Sequence, residues 1–164
     1  VVTRERVEVL ALGCTKKIPD GDGAIPVIRE VLASGGVPVL AWAPGKWMFK
    51  RAKVVRRLLD EFGPEGLLLG DSSLRPLGWP QPQAMNMRKT LAGSDPLPFA
   101  GEEDQAGCYG VRMQIEFDEK QPVSSMRSAL LNPGITAERI GSRNALRLMV
   151  HRMIKHRQQK RIAR

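Results

Sequence analysis

The sequence predicts an α/β protein made of strand–helix units and finished by a long basic helix. Three observations carry this. Short, near-continuous apolar runs start at residues 7, 37, 67 and 90, so they recur every 23 to 30 residues. That is the length of a unit whose parallel strands are joined by right-handed crossovers. Apolar residues at helical spacing lie between the first three runs. The charge is also lopsided: residues 137–164 hold nine Lys/Arg against one acid, Glu138, a net of +8 out of +9 for the chain.

Bulk properties set the frame. A chain of 164 residues can bury one proper core. Apolar residues at 42% and charged residues at 26% give a globular balance, which excludes a disordered chain. No apolar run approaches the roughly 18 residues of a membrane span. Cys14 and Cys108 are the only cysteines, too few for a disulfide scaffold, so free thiols in a reducing cytoplasmic compartment are expected. The sequence opens Val1-Val2 without methionine, which leaves open a portion preceding Val1.

Val7 to Leu12 reads as a buried strand stopped by Gly13. Asp22 is placed to cap a helix carrying Ile25, Ile28, Val31 and Leu32, stopped by Gly35-Gly36. Pro26 fits within the first turn. Val37 to Trp42 is a second strand, with Pro38 near its start. After Pro44-Gly45 comes a helix with the stripe Trp47, Met48, Val54, Val55, Leu58, Leu59 and Phe62, ended by Gly63-Pro64. Leu67 to Gly70 is a third strand. A Pro- and Trp-rich loop follows, then a short helix over 83–88 and a weaker strand over 90–94. The four strands read as parallel because near-continuous apolar runs suit strands covered on both faces. Val111, Met113, Ile115 and Phe117 alternate with polar residues, which predicts a half-exposed edge strand. Pro122 to Leu131 reads as a helix stopped by Asn132-Pro133-Gly134, and Thr136 as the cap of a helix reaching the chain end. This divides the chain into an α/β body over 1–136 and a basic helix over 137–164.

Ligands of parallel α/β folds bind beyond the carboxyl ends of the strands. Here those ends carry Gly13-Cys14-Thr15-Lys16, Trp42 to Lys46, Gly70-Asp71-Ser72-Ser73 with Arg75, and Gly93-Ser94-Asp95. The plain alternative is turn chemistry, since Asp and Gly commonly follow strands. On the binding reading, Lys46, Asp71, Arg75 and Asp95 converge at one mouth, whose mixed charge suits a small anionic substrate. Gly45-Lys46 is not a phosphate loop: Leu40 stands where a glycine is needed and Trp47 where Ser/Thr is needed. Lys46 at a helix start could still hold an anion. Asp20-Gly21-Asp22-Gly23 lacks the twelfth-position acid of a calcium loop. Cys14 has no histidine near it in sequence, because His151 and His156 both lie in the last helix.

The segment Leu91-Ala92-Gly93-Ser94-Asp95-Pro96-Leu97-Pro98-Phe99 resembles the last barrel strand of the amidohydrolase superfamily of metal-dependent hydrolases. The resemblance covers roughly residues 5–100 and rests on one short motif. It implies that the body is the C-terminal half of a (β/α)8 barrel. It also implies that Asp95 binds a divalent metal such as zinc or serves as the base that activates water. The three earlier strands would be the fifth, sixth and seventh. The family's histidines after the fifth and sixth strands are replaced by Gly13-Cys14 and Ala41-Trp42-Ala43. The His-x-His of the first strand would fall before Val1. One aspartate is short of the three or so protein ligands of a catalytic zinc. A missing N-terminal half, a second copy completing the barrel, or a small open sheet are the three arrangements that fit.

In the final segment, Ile140, Leu146, Met149, Val150, Met153 and Ile154 form an apolar stripe expected to dock on the body. Arg147, Arg152, Lys155, Arg157, Lys160 and Arg161 are then the candidates for contact with nucleic-acid phosphates. No aromatic residue is present there to stack bases. A solvated terminal helix, an acidic partner or an anionic membrane surface would fit the same composition.

Overall fold

Residues 1–162 are described by a computed structural model. Four strands form one sheet in sequence order: β1 (Glu8–Leu12), β2 (Val37–Ala41), β3 (Leu68–Ser72) and β4 (Thr90–Gly93). Helices α1 (Ala24–Ala33) and α2 (Lys50–Gly66) connect the first three, and the short α3 (Ala84–Met87) precedes β4. β2, β3 and β4 are parallel, as expected. β1 is not: it runs antiparallel to β2, with Glu8 opposite Ala41 and Leu12 opposite Val37. The apolar run specifies a buried strand but carries no direction. Direction is decided by residues 13–23, which climb back along the sheet. There Gly21 N–H donates to Val2 O at 2.9 Å and Arg4 N–H donates to Asp22 O at 2.8 Å. α1 then descends, and β2 starts beside the end of β1.

The fold is therefore mixed α/β, with a four-stranded, mostly parallel sheet and five helices among the described residues. The remaining elements are a 3-10 turn (Glu103–Gln105), β5 (Tyr109–Arg112), α4 (Pro122–Leu131), β6 (Glu138–Gly141) and α5 (Leu146–Ile162). One sheet face packs Val7, Val9, Leu40 and Leu69 against Val27 and Ile28 of α1 and Val55 and Leu58 of α2. The other packs Val37, Val39, Leu68 and Leu91 against Leu130 of α4. On that second face Leu10 and Leu12, cross-strand neighbours of Val39 and Val37, stay 40% and 36% exposed at the open edge of β1.

Two expectations are corrected in the last third. The alternating run from Val111 to Phe117 is a ladder only to Arg112. The helix expected from Thr136 begins only at Leu146, because Glu138–Gly141 pairs with β5 instead. Helical spacing is also present in a short strand's sequence, and pairing with a partner strand decided between them. Gly141 pins that pairing: its φ is +72°, and a Cβ there would lie 2.0 Å from Cys108 O. The basic segment over 137–164 thus joins the body through β6 and reaches its last two residues outside the described range.

Candidate functional site

The carboxyl ends of β2, β3 and β4 and the amino end of β1 share one end of the sheet. Lys46, Asp71, Arg75 and Asp95 all belong to that end. Gly13 to Lys16 lie at the other end, because β1 is reversed. Reversal brings Glu8 to the mouth instead, where its carboxylate pairs with Lys46.

Asp71 and Ser72 close β3 and, being consecutive in a strand, point to opposite faces. This splits the expected cluster into two networks. In the first, Asp71 is gripped by Arg75, whose Nε donates to Oδ1 at 2.7 Å and Nη2 to Oδ2 at 2.6 Å. Tyr109 OH donates to Oδ2 at 2.9 Å, and Arg75 Nη1 donates to Trp79 O at 3.1 Å. Asp71 and Arg75 are only 3% and 1% exposed. Burial works against the Asp71 charge, but the Arg75 and Tyr109 hydrogen bonds outweigh it and hold the carboxyl below its ordinary value. Burial, followed by the neighbouring Asp71 charge, pushes the Tyr109 phenol up. Asp71 and Arg75 therefore do not line the mouth as substrate-binding groups. Their charges are spent on each other inside the body.

The second network holds Asp95. Ser72 Oγ accepts the Leu74 N–H at 3.1 Å, which leaves its own hydrogen to donate to Asp95 Oδ2 at 3.0 Å. Asp95 has φ +50°, a left-handed conformation uncommon outside glycine, asparagine and aspartate. Poor solvation pushes the Asp95 carboxyl above its ordinary value, and Glu8 adds to this. Ser72, Lys46 and Arg152 pull the other way without cancelling it.

Arg152, assigned by sequence to phosphate contacts, is 2% exposed and closes this network from above. Its Nε donates to Glu102 Oε1 at 2.9 Å and Oε2 at 3.0 Å, and its Nη2 pairs with the same carboxylate. Nη1 donates to Ser73 Oγ and Nη2 to Asp95 O, both at 3.1 Å. Leu97 N–H donates to Glu102 at 2.8 Å. Burial opposes the Glu102 charge, yet these bonds hold its carboxyl below its ordinary value. α5 thus docks through Arg152 and the buried Met149, while Leu146, Val150 and Ile154 of the expected stripe are exposed. Arg147, Lys155, Arg157, Lys160 and Arg161 are exposed. His156, half-buried, follows Arg152 by four residues and so shares its helix face.

Among the described residues no group of three His, Cys, Asp or Glu side chains is arranged to hold a metal. Asp95 has a serine hydroxyl as its side-chain partner, and Glu8, an acid at the same end of the sheet, is occupied by Lys46. These residues do not fit a catalytic zinc, which needs about three protein ligands. Cys14 and Cys108 are unpaired thiols.

Sequence reasoning named Ser72 only as part of a strand end and missed Glu8 and Glu102. Glu8 had left one signal, a charge inside an otherwise apolar strand. Glu102 had none, since its meeting with Arg152 depends on α5 folding back over the loop after β4. Comparison of the chain with protein-family models, curated proteins and solved structures found no match.

Proposed function

We propose that the chain is a hydrolase-like α/β protein in which Asp95 is the general base and Lys46 meets a small anionic substrate. The observation that carries this is Asp95 itself. It is an ionisable carboxyl with a raised pKa, held by Ser72 in a left-handed turn at the carboxyl end of a parallel strand. The local likeness of residues 91–99 to the amidohydrolase superfamily supports the same role. In hydrolysis the carboxylate takes a proton from water as the water oxygen bonds to the acyl carbon. The sequential order of β2, β3 and β4 suits three neighbouring barrel strands, whereas the reversed β1 does not continue one. The exposed Leu10 and Leu12 beside the open edge suit cover by a second copy or by a missing N-terminal half.

The test is a screen of small anionic amides, esters and lactones with the wild-type chain and Asp95→Asn. Asparagine tolerates the left-handed φ and can accept the Ser72 hydrogen bond, so the fold is kept. The variant should lose about 100-fold or more in kcat, the usual weight of a general base. Equal turnover by both proteins, or none by the wild type, overturns the reading.

One observation favours a second reading. Arg147, Lys155, Arg157, Lys160 and Arg161 are exposed on α5, and among the described residues none forms an ion pair. Such a face suits phosphate contact with nucleic acid. Glutamine at all five positions leaves Arg152 in place, and should abolish any salt-sensitive binding to a fluorescent RNA. Unchanged binding removes the idea.

A further inference from the structure

We propose that α5 is a wall of the Asp95 mouth and that His156 is the acid–base partner of Asp95. The inference rests on the hydrolase-like reading of Asp95 and gives the last helix a part in the same chemistry. Geometry carries it. Arg152 reaches past Glu102 to the backbone carbonyl of Asp95 at 3.1 Å and to Ser73 Oγ at 3.1 Å. Residues 149, 152 and 156 fall on one helix face, and the first two are buried against the body. The next side chain on that face beyond the Asp95 contact is therefore His156, which is half-buried. The charges that act on it come from three elements. Glu102 and Asp95 on the segment after β4 favour its protonated form. Lys46 after β2 and Lys160 on its own helix oppose it.

Burial holds the imidazole below its ordinary value, with Lys160 adding to this, while Asp95 is pushed up. The two proton affinities therefore approach one another, which suits a pair that divides proton uptake and release. The step balances with water alone. Asp95 takes one proton from water as its oxygen bonds to the acyl carbon. Protonated His156 gives one proton to the leaving nitrogen or oxygen as its bond to that carbon breaks. Transfer of the proton from Asp95 to His156 through solvent restores both groups.

The experiment has two arms on the full chain. In the first, the ring Cε1–H signals of both histidines are titrated by NMR in wild type, Asp95→Asn and Lys46→Met. His151, exposed on α5, serves as the reference. Losing the Asp95 charge should lower the His156 pKa by roughly half a pH unit, and losing Lys46 should raise it, with His151 static. An unmoved His156, or equal movement of both histidines, overturns the proposal. This arm needs no substrate, so it stands or falls separately from the hydrolase reading. The second arm uses any substrate that the Asp95-dependent screen yields. The wild-type kcat/KM should rise with pH through the Asp95 pKa and fall through the His156 pKa, and His156→Gln should lose the alkaline limb. An alkaline limb retained in that variant overturns the pairing even where the Asp95 role holds.

Discussion

Replacing Arg152 with alanine should be among the most damaging single changes in the C-terminal third. The Arg152 and Glu102 side chains are 3% and 5% exposed. Alanine leaves the Glu102 carboxylate buried with only the Leu97 N–H to satisfy it, and also frees Ser73 Oγ and Asp95 O. Stranding one member of a buried pair costs about 3–5 kcal/mol, against a total stability of about 5–15 kcal/mol for a domain. With a urea slope near 2 kcal/mol/M, the unfolding midpoint should fall by about 2 M. Circular dichroism in urea measures it. The pH dependence follows from the direction of the Glu102 shift. In the wild type the carboxyl is held below its unfolded value, so its contribution is present above that value and is lost as pH falls through the folded pKa. In the variant, burial without a partner raises the carboxyl, so acidification relieves it. The gap between the two proteins should therefore narrow on going from pH 7 toward pH 4. Replacing both partners by methionine should recover much of the loss, because an apolar pair strands no charge. A midpoint shift below about 0.5 M at pH 7, or a gap that widens in acid, refutes the account.

Two further outcomes test other parts of the structure. Tyr109→Phe removes the phenol that donates to Asp71, which should cost about 1.5–3 kcal/mol for a hydrogen bond to a charge. Asp71 is then less strongly held down, so acid unfolding should begin at higher pH; an unchanged acid midpoint would contradict this. Gly141→Ala combines a positive φ with a Cβ 2.0 Å from Cys108 O, and should cost about 2 kcal/mol or more. Hydrogen exchange should then show the amides of the β5–β6 ladder losing protection while those of β2 and β3 keep theirs. Protection retained across β5 and β6 would mean that Gly141 does not pin the pairing.

Much of the architecture was legible in local pattern. Near-continuous apolar runs marked β1 to β3 and a weaker one marked β4, and Gly63 stops the regular part of α2 with φ 60° and ψ 179°. Pro122 to Leu131 is a helix with those limits. These features depend on neighbours within a few residues, so one sequence contains their cause. The direction of β1 does not: Val7 and Val9 bury equally well either way, and the return path of residues 13–23 settles it. The candidate site divides along the same line. Asp95 and Lys46 were visible because they follow strands at the end where parallel sheets collect ligands. That Asp71 and Arg75 neutralise each other follows from Tyr109 and the face on which Asp71 leaves β3.

Arg152 shows the division most sharply. The sequence by itself determined that the last segment is strongly basic and carries a helix, though not that the helix begins only at Leu146, because helix propensity and charge are local properties whereas the pairing of Glu138–Gly141 with β5 is not. Which arginine is spent inside, and which cations face solvent, depends on where Glu102, Ser73 and the Asp95 carbonyl stand when α5 arrives. Those groups lie 50, 79 and 57 residues away in the chain, and only tertiary packing brings a buried carboxylate and its one matching cation together.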